Sequence, residues 1–184
     1  MITQTNAFVV VLDTCIIAPM PLCDTLLRLA EDPAFYMPRW SDGILDELRR
    51  VLRRMEYSDA QADRRIAAMQ AAFEDACVTG YADLVPSMTN DEKDRHVLAA
   101  AVRTGAHAIL TENFKHFPAA SVEAYDIDIL TPDQFLAHQF HLNRELLEEK
   151  LCGQAKARGI AFDALVRRLA KWAPSLPGLL LESS

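Results

Sequence analysis

Acidic and amide side chains at four places in the sequence have the types and settings of a metal-binding site. Asp13 directly follows the apolar, β-branched run of residues 8–12, where a buried strand would end. Asp94 shares a helical stripe with Val97 and other apolar residues, and a carboxylate on such a face is costly unless it is paired or metal-bound. Glu47 borders the apolar stripe of another helix. The candidate catalytic residues are Asp13, Glu47, Asp94 and Asn113.

A cluster of carboxylates at these positions would need a cation. Two unit charges about 4 Å apart repel by about 4 kcal/mol at an effective dielectric constant of 20. Hard oxygen ligands favour Mg²⁺ or Mn²⁺ over zinc, so we expect one of these two ions. The residue types therefore predict metal-dependent chemistry.

Other site chemistries receive less support from the sequence. The histidines do not pair at a metal-ligand spacing, and His96 is either a surface residue of its helix or a substrate contact. No glycine-rich phosphate-binding motif is present. A strand that ends in Asp also occurs in phosphatases of the haloacid-dehalogenase type, but these need a second Asp where Cys15 stands.

Strand and helix patterns alternate along the chain and must position these side chains. The predicted strands are residues 8–12, 34–37, 108–111 and 127–130. The predicted helices are residues 22–30, 41–55, 58–76, 90–104, 131–139, 142–157 and 161–173. This alternation predicts an α/β fold, specifically a three-layer α/β/α sandwich with a mostly parallel central sheet, followed by C-terminal helices.

The predicted strand ends explain how distant residues could form one site. Asp13 ends the first strand, and Thr111, Glu112 and Asn113 follow the end of a later one. Ligands of open α/β sheets bind outside the carboxyl ends of the strands. We therefore expect these side chains to meet at one edge of the sheet.

The sequence divides into an α/β domain over residues 1–138 and a helical extension over residues 139–184. In the extension, Leu165 and Val166 lie on an apolar helix face that would pack on the domain or on a second copy of the chain. We expect the chain to form a homodimer.

Charge, cysteines and hydropathy restrict the class of protein. The net charge of −7 is unfavourable for phosphate binding, although the acidic excess lies before residue 139. Arginines cluster between residues 49 and 65, as a solvated helix face or as a phosphate-binding track. The four cysteines are scattered, which predicts neither a zinc site nor disulfides and suits the cytoplasm. There is no membrane-spanning run and no signal peptide pattern, so we expect no membrane association.

Four segments of the chain, in order, resemble the PIN domain ribonucleases. They are VVVLDTCII, SDGILDELRRVL, NDEKDRHVLAAAVRTGAHAILTENFKHFP and YDIDILTPDQFL. The resemblance spans residues 8–138, with the Asp-Arg-His-Val-Leu-Ala-Ala-Ala segment as its most specific piece. It is greatest to the branch that includes the VapC-type toxins of bacterial toxin–antitoxin pairs.

The resemblance implies that residues 1–138 form a PIN-like nuclease domain with Asp13, Glu47 and Asp94 as metal ligands. Many members have an Asp where this chain has Asn113, and His116 stands where a second acidic residue is often found. Glu112 and Asp91 are candidates to supply the missing charge. We further expect substrate contacts from Thr14, Thr111, Arg95 and His116.

The activity implied by the resemblance is metal-dependent hydrolysis of RNA phosphodiesters, leaving a 5′-phosphate and a 3′-hydroxyl. The expected partners are an RNA substrate and a small antitoxin that covers the acidic site. Two alternatives remain open at this point: an RNA- or protein-binding PIN-like module without nuclease activity, and a PIN nuclease that processes RNA without being a toxin.

Overall fold

A five-stranded, all-parallel sheet organises the chain, for which a computed structural model describes residues 8–182. The strands are β1 (Val9–Leu12), β2 (Met37–Ser41), β3 (Cys77–Val78), β4 (Ala108–Leu110) and β5 (Asp128–Leu130). Their order across the sheet is β3-β2-β1-β4-β5, and each neighbouring pair is parallel. This arrangement confirms the predicted α/β class and its parallel sheet.

Strand β1 lies at the centre of the sheet because its side chains are apolar on both faces. Val10, Val11 and Leu12 are completely buried, although successive residues of a strand point to opposite faces. Helices must therefore cover both sides of β1, as in the predicted three-layer sandwich. The chain order reverses beside β1, between β2 on one side and β4 on the other. Such a reversal is where open α/β sheets bind ligands.

The predicted strand at residues 34–37 is wrong, because β2 begins only at Met37 and runs through Pro38 to Ser41. Strand β2 tolerates a proline at position 38 because the N–H that proline lacks would have no partner there. The N–H of Met37 bonds to the Phe8 carbonyl on the β1 side, so an N–H at position 38 would point to the opposite side, towards β3. Pairing with β3 starts only at Trp40, and Pro38 therefore removes no hydrogen bond of the sheet.

Helices follow most of the strands. They are α1 (Thr14–Ile17), α2 (Met20–Ala30), α3 (Asp42–Arg54), α4 (Asp59–Ala72), α5 (Arg95–Thr104), α6 (Ala119–Val122), α7 (Pro132–Leu142), α8 (Arg144–Ala157), α9 (Phe162–Leu169) and α10 (Leu176–Leu181). The predicted caps of α3 and α4 are confirmed, since Ser41 and Ser58 accept backbone N–H bonds at these N-termini. Gly105 ends α5 in the left-handed conformation, as predicted.

Two predicted boundaries need correction, and several short elements lack a sequence signal. The predicted helix 58–76 ends at Ala72, and a 3-10 turn (Glu74–Ala76) then leads into β3. Residues 77–85 were predicted as a loop with room for one short strand, and this segment contains β3 as well as the start of an unpredicted 3-10 helix (Ala82–Ser87). Helices α1, α6 and α10 were not predicted, because they span only four to six residues and show no full apolar period.

The C-terminal helices pack on the α/β part of the chain and share its core. Helix α8 packs against α2, where buried Gln154 accepts a 2.7 Å bond from Thr25 and donates a 3.0 Å bond to the Pro21 carbonyl. Leu165 and Val166 of α9 are buried in the same apolar cluster as β1. The apolar face of α9 therefore packs on its own domain.

Two further observations concern the class of protein. Cysteines 15, 23, 77 and 152 all lie in the described part of the chain and are free thiols, as predicted. Within residues 8–182, none of the helices combines the length and the apolar character that crossing a membrane requires.

Candidate active site

Asp13 lies where β1 passes into α1, at the carboxyl edge of the sheet. Its carboxylate is the N-cap of α1 and accepts a 2.6 Å bond from the Thr14 N–H. The other oxygen accepts a 2.6 Å bond from the Thr111 hydroxyl and a 3.2 Å contact from the Cys15 thiol. Its own N–H bonds to the Leu110 carbonyl of β4. The predicted meeting of the β1 and β4 strand ends is therefore confirmed.

The surroundings of Asp13 favour its protonated form. Its side chain is 2% exposed, and this burial raises the pKa of the carboxyl above its ordinary value of 3.8. The negative charge of Asp94 raises the pKa further, while the hydrogen bonds from Thr111 and Cys15 oppose the shift. The two carboxylates are thus close enough to repel each other, as the sequence predicted.

Asp94 is buried, but its position in the local structure differs from the prediction. The sequence placed it one turn inside a helix that starts at residue 90 or 91. Instead, a 3-10 turn (Glu92–Asp94) precedes α5, and Asp94 is the residue just before that helix. Asp91 lies on the exposed surface and caps this turn by accepting a hydrogen bond from the Lys93 N–H.

His116 is the direct partner of Asp94. Its Nδ1 atom lies 2.6 Å from an oxygen of the Asp94 carboxylate. Which of the two atoms donates depends on the tautomer of His116: an ionised carboxylate only accepts, and it pairs with the tautomer that carries its proton on Nδ1. The sequence indicated His116 as a departure from the family pattern and as a substrate contact. The structure adds that it contacts one of the acids of the site.

Glu47 lies on α3 and joins the site through Thr14. The Thr14 hydroxyl donates a 3.0 Å bond to the Glu47 carboxylate, and Nε2 of His96 lies 3.7 Å from the same oxygen. His96 and the Thr14 hydroxyl lower the pKa of Glu47 below its ordinary value of 4.5, although partial burial opposes them. Because Thr14 also bonds to Asp13 through its N–H, one residue connects two acids of the site.

Two participants were missed or undervalued in the sequence analysis. Cys15 contacts both Asp13 and the Thr111 hydroxyl, and burial together with the Asp13 charge raises the pKa of its thiol to about 12. The thiol therefore stays protonated and acts as a hydrogen-bond donor rather than as a nucleophile. Its position two residues after Asp13 was the signal that the sequence offered. His96 was considered mainly as a surface residue, whereas only 23% of its side chain is exposed.

The remaining predicted residues lie around this centre. Asn113 is exposed, and its N–H donates a 2.9 Å bond to the Thr111 hydroxyl, which itself bonds to Asp13. Its predicted catalytic role stays a prediction. Nε of Arg95 lies 3.4 Å from the Asn90 carbonyl. The side chain of Glu112 is exposed, and its N–H contacts the Cys15 sulfur.

Three of the six arginines between residues 49 and 65 contact the protein itself. Arg49 pairs with Asp46 and Asp63, and Arg53 pairs with Asp59. Arg65 donates to carbonyl groups at the end of α1. These contacts favour the interpretation of a solvated helix face over that of a phosphate-binding track.

The oxygen atoms of this site suit a hard divalent cation. Asp13 and Asp94 are buried and close enough to repel each other, which a bound cation would relieve. Among residues 8–182, no three His, Cys, Asp or Glu side chains are placed together closely enough to hold a metal. The predicted ligands Asp13, Glu47 and Asp94 are therefore not gathered into one set in this structure, and their role as metal ligands stays a prediction.

Comparisons with known proteins agree on one family. A model of the family described as PIN domain matches residues 9–115. Over 78 residues the chain is 47% identical to "Putative ribonuclease VapC50" of Mycobacterium tuberculosis, an alignment that covers 42% of this chain and 46% of that protein. The chain thus spans about half the length of the curated relative that it matches. No solved structure matches the chain.

Proposed function

This chain belongs to the PIN domain family, and we propose that it is a metal-dependent endoribonuclease that acts as the toxin of a toxin–antitoxin pair. The observation that carries the proposal is the presence of two buried carboxylates, Asp13 and Asp94, at the carboxyl edge of the sheet, where the charge of Asp94 contributes to the raised pKa of Asp13. Buried like charges are costly and are typical of sites that bind a cation.

Each residue of the site has a distinct task in this mechanism. Asp13 and Asp94 would hold Mg²⁺ or Mn²⁺, which supplies an acidified water for attack on phosphorus and neutralises charge in the transition state. Thr111 and the Thr14 N–H hold the Asp13 carboxylate in place. Glu47, oriented by the Thr14 hydroxyl, accepts a hydrogen bond from the attacking water. The new P–O bond replaces the bond to the 3′ oxygen, which leaves a 5′-phosphate and a 3′-hydroxyl.

The toxin assignment and its partners rest on the relatives. The name VapC50 is that of a putative ribonuclease. The resemblance to VapC-type toxins implies a small antitoxin that covers the acidic site. A basic side chain of such a partner would be attracted by the same repelling carboxylates that favour a cation. We also propose that the chain acts as a homodimer.

A second candidate function is RNA binding without cleavage. The pairing of His116 with Asp94 favours it, because a hydrogen-bonded imidazole stands where related proteins often carry an acid. A protonated histidine there would partly neutralise Asp94 without a metal. One measurement distinguishes the two functions: whether the purified protein cleaves RNA.

The test compares three matched carboxylate-to-amide variants on a labelled single-stranded RNA with Mn²⁺ or Mg²⁺. Asp13→Asn and Asp94→Asn should each lower the cleavage rate by roughly 100- to 1,000-fold, since each removes a charged ligand of the cation. Asp46→Asn is the control, because Asp46 lies on α3 beside Glu47 but points to solvent. It should cleave like the wild-type chain.

Two outcomes would contradict the proposal. If the wild-type chain binds RNA but cleaves none with either ion, the binding function is correct instead. If cleavage persists in both site variants, the nuclease uses other residues. The toxin assignment has its own test: expression should stop bacterial growth in an Asp13-dependent manner, and a small protein encoded next to this chain should restore growth.

A further inference from the structure

Phe114 is a large apolar side chain exposed beside the acidic site. Its side chain is 53% exposed, whereas the nearby Phe117 is only 3% exposed. Phe114 begins a 3-10 turn (Phe114–His116) that directly follows Asn113 at the end of β4. The other large apolar residues with exposed side chains in residues 8–182 lie outside this turn: Met20, Met55, Tyr125 and Leu142.

The turn that carries Phe114 is tied to both buried acids. On its N-terminal side, the Asn113 N–H bonds to the Thr111 hydroxyl, which bonds to Asp13 at 2.6 Å. On its C-terminal side, His116 contacts Asp94 at 2.6 Å. The His116 carbonyl also accepts a 3.0 Å bond from the Asp91 N–H. The backbone of Phe114 is therefore held at a defined position relative to both carboxylates.

An exposed aromatic ring on a well-anchored turn suits one type of ligand at a phosphate-cleaving site. Unpaired nucleobases stack on aromatic side chains, and this contact does not depend on the sequence. Bases inside a double helix already stack on their neighbours and do not offer a face to the protein. Lys115, the next residue, is exposed and can contact the adjoining phosphate.

We propose that Phe114 is a substrate-binding residue whose ring stacks on an unpaired base next to the phosphate that is cleaved. This inference rests on the proposed nuclease function. It adds one substrate-binding residue to the site formed by Asp13, Asp94 and Glu47. In this proposal the acids position the phosphodiester that is cleaved, and the Phe114 ring positions the RNA strand.

The test measures binding by fluorescence anisotropy, with a labelled single-stranded RNA and with the same RNA in a duplex, in EDTA so that nothing is cut. Phe114→Ala should weaken single-strand binding by roughly 10- to 100-fold, which is the usual contribution of one stacked base. Phe114→Leu keeps an apolar side chain without the ring and should lose most of the same affinity. Phe114→Tyr keeps the ring and should bind within about twofold of the wild-type chain.

Leu142→Ala is the matched control, because Leu142 is 68% exposed on α7, away from the turn. It should not change RNA binding. Wild-type affinity in Phe114→Ala or in Phe114→Leu would overturn the stacking inference and leave the nuclease proposal intact. Equal loss of duplex and single-strand binding in Phe114→Ala would overturn stacking on an unpaired base, because paired bases offer no free face to the ring. A wild-type chain that neither binds nor cleaves RNA would instead refute the proposed function itself.

Discussion

At the scale of single residues, the site combines acids that are costly to bury with donors that hold them in place. Asp13 receives bonds from Thr14, Thr111 and Cys15, yet burial and the charge of Asp94 still raise its pKa. The donors thus orient the carboxylate without fully compensating its charge. The free-energy cost of burying the charged Asp13 carboxylate therefore remains in the metal-free protein, and a bound cation would remove it. Asp13 thus serves the proposed function at the expense of stability.

Asp13→Asn should therefore stabilise the metal-free protein at neutral pH while it abolishes cleavage. A carboxyl whose pKa is higher in the folded than in the unfolded chain binds its proton more tightly when folded, so folding becomes less favourable as the pH rises. The free-energy cost of the charged Asp13 is absent below about pH 3.8, the ordinary pKa of the group, and is complete above its raised pKa. We expect the Tm of the variant to exceed that of the wild type at pH 7.5 and to approach it at pH 4.

Thermal unfolding followed by circular dichroism in EDTA measures this difference. Each kcal/mol that is relieved should raise the Tm of a domain of this size by about 2–4 °C. Asp46→Asn is again the control and should change the Tm little, because exposed ion pairs contribute about 0–1 kcal/mol. A lower Tm for Asp13→Asn at pH 7.5 would mean that the hydrogen bonds of the carboxylate outweigh its burial. Added Mn²⁺ should raise the Tm of the wild type and of Asp46→Asn but not that of Asp13→Asn.

At the scale of elements, the short helix α1 connects the central strand with α3. Thr14 begins α1, and its hydroxyl lies 3.0 Å from the Glu47 carboxylate and 3.3 Å from the Ile44 carbonyl. The position of Glu47 relative to Asp13 thus depends on one turn of helix. That turn carried no apolar periodicity in the sequence, so the connection could be found only in the folded chain.

Thr14→Val should lower both stability and activity, whereas Thr25→Val should lower stability alone. Both threonines are buried and donate a hydroxyl bond, Thr14 to Glu47 and Thr25 to Gln154. Loss of such a bond costs about 1–2 kcal/mol of unfolding free energy in either variant. Only Thr14→Val releases Glu47, and we expect its cleavage rate to fall about tenfold.

Urea unfolding and cleavage assays on the two variants make the comparison. An unchanged cleavage rate in Thr14→Val would show that Glu47 does not need this hydroxyl for its role. An equal fall in both variants would assign the loss to general destabilisation rather than to the connection through α1.

At the scale of the whole molecule, the C-terminal helices complete the core of the α/β part. Leu147 and Leu151 of α8 and Leu165 and Leu169 of α9 are buried in the same cluster as the sheet. Burial of each such leucine contributes about 1.5–3 kcal/mol, against a total stability of about 5–15 kcal/mol for a typical domain. The extension predicted for residues 139–184 is therefore expected to be necessary for folding.

Removal of residues 139–184 should leave a fragment that does not fold cooperatively. Its α2 surface would lose the cover of α8, and buried Thr25 would lose its bond to Gln154. Circular dichroism should show no cooperative thermal transition, and a hydrophobic dye should bind the fragment strongly. A fragment of residues 1–138 that unfolds cooperatively and cleaves RNA would instead establish two independent units, with the boundary predicted from the sequence.

The sequence by itself determined the fold class and the point where β1 ends, and it predicted the acids of the site. These features depend on local patterns: the apolar run before Asp13, the periodic helix around Glu47 and the glycine after α5. Local patterns were insufficient to predict a strand whose formation depends on pairing with another, distant strand. Whether the segment around Pro38 pairs as a strand depends on where β3 begins, which lies far along the chain.

Only the tertiary structure decided which side chains meet around the acids. The contacting residues are 22 to 98 positions apart in the sequence: Asp94 with His116, Glu47 with His96 and Thr14, and Asp13 with Thr111. Such pairs form because parallel strands bring their carboxyl ends to one edge, whereas sequence spacing says nothing about atomic distances across that edge. The fit of the site for a cation follows from those distances and from burial, not from the acidic residues alone.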